Sequence, residues 1–202
     1  MEFWYWLAGK GRRVAGRDKG WILCQGRPLI AWLLASIREQ LQFMPQEEYR
    51  IFISANRNMK RYAQLGEQVV ADWRVGYQGP LAGIESAMGL PVAVTINRWL
   101  IIPVDAVCLP DGFVEKMLRV EQRTVCFARQ GSRDHYAFLS LPGTCLSDVS
   151  AYLDQGGRSI CGWLKAHSSV QPVVFDDAAV FANLNSGQDF RNGGRLQNKI
   201  YR

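Results

Sequence analysis

Between residues 9 and 20 the chain reads Gly9-Lys10-Gly11-Arg12-Arg13-Val14-Ala15-Gly16-Arg17-Asp18-Lys19-Gly20. Glycines let main-chain N–H groups approach a phosphate closely, and basic side chains neutralise it. Arg13 and Lys19 are candidate charge-assisted donors to phosphate oxygens. The spacing fits neither the Walker loop nor the dinucleotide fingerprint GxGxxG. Taken alone, an ordinary basic surface turn has an equal claim on this stretch. Two acidic residues follow apolar segments: Asp72 after Gln68 to Ala71, and Asp105 after Trp99 to Val104. By themselves they read as a solvated loop acid and a turn cap.

The elements that would position these residues alternate in type. Phe3 to Ala8 is an apolar, aromatic strand candidate. Ile30, Leu33, Leu34, Ile37, Leu41 and Met44 recur at helical spacing after Pro28. Arg50 to Ser54 reads as a strand and Asn58 to Leu65 as a polar helix. Pro80 to Met88 reads as a helix with proline in its first turn. A buried strand at Trp99 to Val104 and a helix at Asp111 to Leu118 come next. Strands follow at Thr124 to Ala128 and Ala137 to Leu141, then helices at Leu146 to Leu153 and Ser159 to Ala166. Pro172 to Phe175 and Val180 to Leu184 close the pattern. This order predicts an α/β fold with a mostly parallel sheet covered by helices. Ligands of such sheets sit beyond the C-terminal strand ends. Those ends are followed by Gly9 to Lys19, Ser54 to Arg57, Asp72 and Asp105.

The motifs resemble, in order, those of the molybdenum cofactor guanylyltransferases. They are Leu7-Ala8-Gly9, the basic loop with Arg12-Arg13, Asp18-Lys19-Gly20, and Gly26-Arg27-Pro28-Leu29. Then come Ser54-Ala55-Asn56-Arg57, Asp72, Gly79-Pro80-Leu81-Ala82-Gly83 and Pro103-Val104-Asp105. Gly131-Ser132-Arg133-Asp134-His135 and Asn183-Leu184-Asn185 complete the set. The resemblance implies a Rossmann-like three-layer sandwich of the nucleotide-diphospho-sugar transferase type. It implies a single nucleotidyltransferase domain over residues 1–202, with 186–202 a candidate flexible tail. The implied reaction is transfer of GMP from GTP to the molybdenum–molybdopterin cofactor, giving the guanine dinucleotide and pyrophosphate.

Carried over by position, Leu7, Ala8 and Gly9 line the nucleotide pocket, with Arg13 beside them. Lys19 holds the triphosphate, Ser54 and Asp72 face the nucleoside, and Asp105 binds Mg²⁺. Gly79, Pro80, Arg133, Asn183 and Asn185 lie toward the pterin acceptor. Such chemistry needs positioning and charge neutralisation rather than a nucleophilic side chain, and Mg²⁺ asks for only one or two carboxylates. The chain departs from the family pattern in places. One glycine of Leu-Ala-Gly-Gly is missing before Lys10, Val14 stands for a Met, and Ser54 stands for an Asn. These departures keep two other readings open. One is nucleotidyl transfer with CTP or to a sugar phosphate; the other is a non-catalytic module that delivers the cofactor.

Composition narrows the alternatives. At 202 residues, 48% hydrophobic and 21% charged, the chain suits one globular domain. Its net charge of +6 owes five cations to Lys10 through Lys19. That charge suits a triphosphate as well as a nucleic acid, and no nucleic-acid-binding motif accompanies it. The two histidines, His135 and His167, are too few for a histidine-rich metal site. The five cysteines, Cys24, Cys108, Cys126, Cys145 and Cys161, form no C-x-x-C pair and read as reduced thiols. Asp134-His135 reads as a surface pair, and Trp4, Trp6, Trp21, Trp32 and Trp99 as core. No apolar run is long enough to cross a bilayer, and Glu2 precedes the first one, unlike a signal peptide. The expectation is a cytoplasmic enzyme acting on GTP and a molybdopterin-type cofactor, without membrane or nucleic-acid partners. Apo-molybdoenzymes or their chaperones are candidate recipients of the product.

Overall fold

A computed structural model describes the main chain of residues 2–8 and residues 18–44, 48–76, 78–106 and 109–176 in full. Its strands are β1 (Glu2–Ala8), β2 (Leu23–Cys24), β3 (Arg27–Pro28), β4 (Glu48–Ser54), β5 (Gln68–Val70), β6 (Arg98–Pro103), β7 (Val125–Gln130), β8 (Arg133–Pro142) and β9 (Val170–Phe175). Its helices are α1 (Leu29–Leu41), α2 (Met59–Ala63), α3 (Pro80–Met88), α4 (Phe113–Leu118), α5 (Leu146–Asp154) and α6 (Ile160–Ala166). The main sheet runs β5-β4-β1-β6-β8-β7-β9, with β2 and β3 a separate small hairpin. Among the described strands of the main sheet β8 alone runs antiparallel to its neighbours. The mostly parallel sheet is as the sequence predicts.

Two apolar layers follow from the period of two along each strand. Ile51, Ile53, Leu100 and Ile102 point to the face covered by α1 and α4. Phe52, Trp99 and Ile101 point to the face covered by α3, α5 and α6. Helix α1 sends Ile30, Leu33, Leu34, Ile37 and Leu41 into the first layer, as their spacing requires. Both faces of the sheet are thus closed, which makes the three-layer sandwich.

Several boundaries move for local reasons. Asn58 adopts φ +51°, so α2 begins at Met59 instead of Asn58. Gly112 adopts φ +68°, so α4 begins at Phe113 and leaves Asp111 outside. Strand β8 starts at Arg133, earlier than Ala137, because Gly131 at φ +54° turns the chain within two residues of Gln130. That tight turn is also why β8 comes back antiparallel. Strand β6 starts at Arg98, whose charge hides it from a hydrophobicity pattern. Trp99 is core, whereas Trp21 and Trp32 are half-buried. The side chains of Trp4 and Trp6, the segment Val180 to Leu184 and the tail at 186–202 lie outside the described residues. Cys24, Cys126 and Cys145 are buried free thiols and Cys161 is half-buried. Burial pushes the Cys145 thiol up to about 12, which keeps it unreactive. Cys108 is outside the described residues.

Candidate nucleotide site at the C-terminal sheet edge

Register places four strand ends side by side. Ser54 pairs with Val70 on one side and Ala8 on the other, and Ala8 pairs with Pro103. Four adjacent strands put Val70 and Pro103 roughly 14 Å apart along this edge. Asp72 and Asp105 each follow their strand by two residues. The Ala55 N–H donates to the Val70 carbonyl at 3.0 Å, and the Asp72 N–H donates to Asn56 Oδ1 at 2.7 Å. The Ser54 to Arg57 turn and Asp72 are therefore built as one unit. Ser54 itself is buried. At the other end, the Ala106 N–H closes a turn onto the Pro103 carbonyl at 3.0 Å, which places Asp105 at the edge.

Lys19 reaches this edge from a 3-10 turn over Lys19–Trp21. Asp18 caps that turn by accepting from the Gly20 N–H at 3.2 Å. Asp18 is held in turn by the Tyr62 hydroxyl at 2.6 Å and by Asn58 Nδ2 at 3.1 Å. Burial and the hydrogen bond to Asp18 push the Tyr62 phenol upward, so it stays a donor throughout the physiological range. A Cβ on Gly20 would stand 2.4 Å from the Tyr62 hydroxyl oxygen, so any larger residue there must push that side chain aside. The Arg61 guanidinium lies 3.8 Å from the centre of the Trp21 ring and keeps the turn covered. So fixed, Lys19 Nζ forms an ion pair with Asp105 Oδ2. Lys19 is 6% exposed and Asp105 8%. The pairing offsets part of the cost of enclosing each charge.

The loop after β5 is stapled to the helices behind it. Arg74 donates to both carboxylate oxygens of Glu85, at 2.6 and 2.7 Å, and its Nη2 lies 2.7 Å from Asp154. The Arg74 hydrogen bonds hold the Glu85 carboxyl below the usual carboxylate range despite its burial. The Trp73 N–H donates to Ser86 Oγ at 2.8 Å. Gly79 enters α3 at φ +80°, and a Cβ there would meet the Arg158 carbonyl oxygen at 2.4 Å. Pro80 then opens α3, whose N-terminal end faces the same edge as the strand ends.

Arg133 is exposed at the start of β8, beside the C-terminal end of β7. Next to it, Asp134 accepts from Arg129 Nε at 2.5 Å and from the Tyr136 hydroxyl at 2.7 Å. The Arg129 hydrogen bond in particular holds the Asp134 carboxyl low. His135 is only 8% exposed, so Asp134-His135 is not the surface pair the sequence suggested. The alternation of β8 turns the imidazole inward, and burial pushes its pKa down toward the neutral form.

Of the residues singled out from the sequence, Lys19 and Asp105 are brought into contact. Ser54, Asp72 and the main chain of Leu7 and Ala8 share their edge. Gly79, Pro80 and Arg133 stand at the same end of the sheet. Gly9, Arg13, Asn183 and Asn185 lie outside the described residues. Sequence reasoning named Asp18 and Asn56 within motifs and Asn58 at a helix start without giving them a role, and passed over Tyr62; all four help to hold the candidate side chains or their turns. The signal for Asp18 was its N-cap residue type just before Lys19-Gly20; nothing local marked Tyr62. Among the described residues no group of three or more His, Cys, Asp or Glu could cage a metal. A single carboxylate, Asp105, suits a hard cation that takes most of its remaining ligands from phosphate and water.

Residues 7–170 match the family model of the MobA-like NTP transferase domain. A molybdenum cofactor guanylyltransferase of Shewanella sediminis is 35% identical over 181 residues, which is 88% of this chain and 87% of that one. Molybdopterin-guanine dinucleotide biosynthesis protein A of Archaeoglobus fulgidus superposes with a TM-score of 0.71 at 18% identity. That match covers 98% of this chain and 100% of the other. The 2-C-methyl-D-erythritol 4-phosphate cytidylyltransferase of Thermus thermophilus shares the fold, with a TM-score of 0.66 at 14% identity over 96% and 98% of the chains. With the ordered motifs and the aligned strand ends, these matches show that the chain belongs to the MobA-like NTP transferase family.

Proposed function

We propose that this protein transfers GMP from GTP to the molybdenum–molybdopterin cofactor, releasing pyrophosphate. The observation that carries the reading is the enclosed Lys19–Asp105 pair at the C-terminal sheet edge, in a chain 35% identical to a guanylyltransferase. A cation and a carboxylate poised together suit a triphosphate and the metal that travels with it. Lys19 neutralises phosphate oxygens, and Asp105 would hold Mg²⁺. Bound there, Mg²⁺ supplies positive charge to the triphosphate and to the leaving pyrophosphate. Ser54 and Asp72 contact the nucleoside, with Leu7, Ala8, Gly9 and Arg13 completing the pocket. The acceptor lies toward Gly79, Pro80, Arg133, Asn183 and Asn185.

A terminal phosphate oxygen of the acceptor forms a bond to the α-phosphorus of GTP, while the bond from that phosphorus to the α,β-bridging oxygen breaks. Pyrophosphate leaves with the electron pair, and no side chain becomes covalently attached. We place the reaction in the cytoplasm, with apo-molybdoenzymes or their chaperones receiving the product. Among the described residues no helix is long and apolar enough to cross a membrane. The test is pyrophosphate release with Mg²⁺, molybdopterin-loaded acceptor and GTP, with CTP and ATP in parallel. Release with GTP alone is expected. Release with CTP instead would move the specificity, and nucleotide binding without release would leave a delivery module.

A further inference from the structure

A second cleft, of about 760 Å³, opens at the opposite end of the sheet. It lies where β6 begins and β8 ends, between the 3-10 turn Pro91–Thr95 and the link from α4 to β7. The length of β6 separates it from Asp105 by roughly 17–20 Å. Its floor is apolar, made by Met88, Ile96, Leu118 and Pro142. Its polar lining is basic or neutral: Arg98, Arg119, Arg123, Asn97, Gln122 and Thr144. None of its described lining residues is acidic.

The walls are held rather than loose. Arg98 is 3% exposed. Its guanidinium donates to the carbonyls of Glu121, Gln122 and Thr124, at 2.5, 2.8 and 3.2 Å, and to Ser140 Oγ at 2.9 Å. These bonds fix the link that carries Gln122 and Arg123. On the other wall, the Gly143 N–H donates to the Asn97 carbonyl at 2.8 Å, and a Cβ on Gly143 would meet the Ile96 carbonyl oxygen at 1.9 Å. Among the described residues the carbonyls of Glu121, Gln122 and Thr124 and the Ser140 hydroxyl, rather than a carboxylate, meet the Arg98 guanidinium. Arg123 is exposed and forms no ion pair among the described residues. Arg119 meets Glu115 at 3.1 Å, in an exposed pair that yields readily to a competing anion. The volume is within the range of clefts that hold small organic ligands.

We propose that this cleft binds a small phosphate-bearing molecule with an apolar body, at a site separate from the nucleotide edge. The apolar body packs on Met88, Ile96, Leu118 and Pro142. The phosphate takes Arg119 and Arg123 as donors in the positive field of Arg98. Asn97, Gln122 and Thr144 supply neutral hydrogen bonds at the rim.

The test is a titration of the full ¹⁵N-labelled chain with phenyl phosphate, with inorganic phosphate and benzyl alcohol alongside, read at the amides of Gln122, Arg123, Gly143 and Thr144. Saturable, salt-sensitive shifts with phenyl phosphate are expected, stronger than with either comparison probe. Arg119→Ala with Arg123→Ala should weaken that binding about tenfold or more, with the response to GTP at Gly20 and the rate of GMP transfer unchanged. Lys19→Ala should leave the response at the cleft intact. No saturable shift at these amides, equal binding by the double variant, or equal binding of benzyl alcohol would each overturn the proposal.

Discussion

Lys19 and Arg98 are buried to nearly the same degree, 6% and 3% exposed, at opposite ends of the same sheet. Their partners differ in kind. Lys19 is paired with a charged side chain, the carboxylate of Asp105. Arg98 is surrounded by fixed dipoles, three main-chain carbonyls and a hydroxyl. A carboxylate can be taken over by a cation, and the lysine can then turn toward a phosphate. Backbone carbonyls cannot be taken over without moving the chain. On the proposed function, the same burial would serve an exchangeable pair at the nucleotide end and a fixed clamp at the other. The surroundings of a buried cation, more than its burial, separate a working charge from a structural one.

The largest test of that contrast is Asp105→Ala. Loss of the carboxylate should lower Mg²⁺-dependent GMP transfer by about 10²–10³-fold or more, followed by pyrophosphate release. Comparable activity would remove Asp105 from the metal role. The matching test of the clamp is Arg98→Met, which leaves the Glu121, Gln122 and Thr124 carbonyls without their donor. It should cost about 3 kcal/mol of stability in urea unfolding, with kcat little changed. A large loss of kcat at unchanged stability would erase the distinction between the two cations.

The nucleotide end can also be loosened at its support. Gly20→Ala forces a methyl group against the Tyr62 hydroxyl and should weaken GTP binding about tenfold, since small displacements of a charged donor are costly. Combining it with Tyr62→Phe, which removes that oxygen, should restore part of the affinity in a double-mutant cycle. Strict additivity would mean that Tyr62 does not position Lys19. A smaller effect has the opposite sign. Without Mg²⁺, Asp105→Asn removes the carboxylate that competes with phosphate for the enclosed Lys19 and should raise GTP affinity. A fall in affinity would mean that the carboxylate itself assists the nucleotide.

The smallest effect concerns acid. The folded-state pKa of Glu85 is held down, first by its hydrogen bonds to Arg74. Its stabilisation is therefore fully present above the unfolded value of about 4.3 and is lost as pH falls below it. Arg74→Met should flatten that component of the unfolding midpoint between neutral pH and acid. An unchanged acid slope would assign the lability to other carboxylates.

The sheet and its order of elements were legible because hydrophobic periodicity is local: α1, α3 and β4 stand close to where their side-chain spacing put them. The edge that carries Ser54, Asp72 and Asp105 followed from the strand ends alone. The reversed strand β8 was not legible, since direction depends on a two-residue turn at Gly131 rather than on alternation. The support of Lys19 was hidden for a different reason. Asp18 lies 44 positions before Tyr62, and a hydrogen bond across that interval leaves no periodic trace. Arg98 was invisible as a strand residue because its charge is balanced by carbonyls that the sequence does not distinguish.

The place of β1 has a consequence during synthesis. Residue 3 lies in register between residues 49 and 98, on β4 and β6. At ribosomal speed the second of those partners is made roughly 5–20 s after the first strand. For that interval the stretch Phe3-Trp4-Tyr5-Trp6-Leu7 has one edge without its final neighbour, even after β4 is made. Among the described strands of the main sheet, this interior strand waits longest for its second neighbour, and the nascent chain presents its most aromatic segment to whatever chaperone reaches it first.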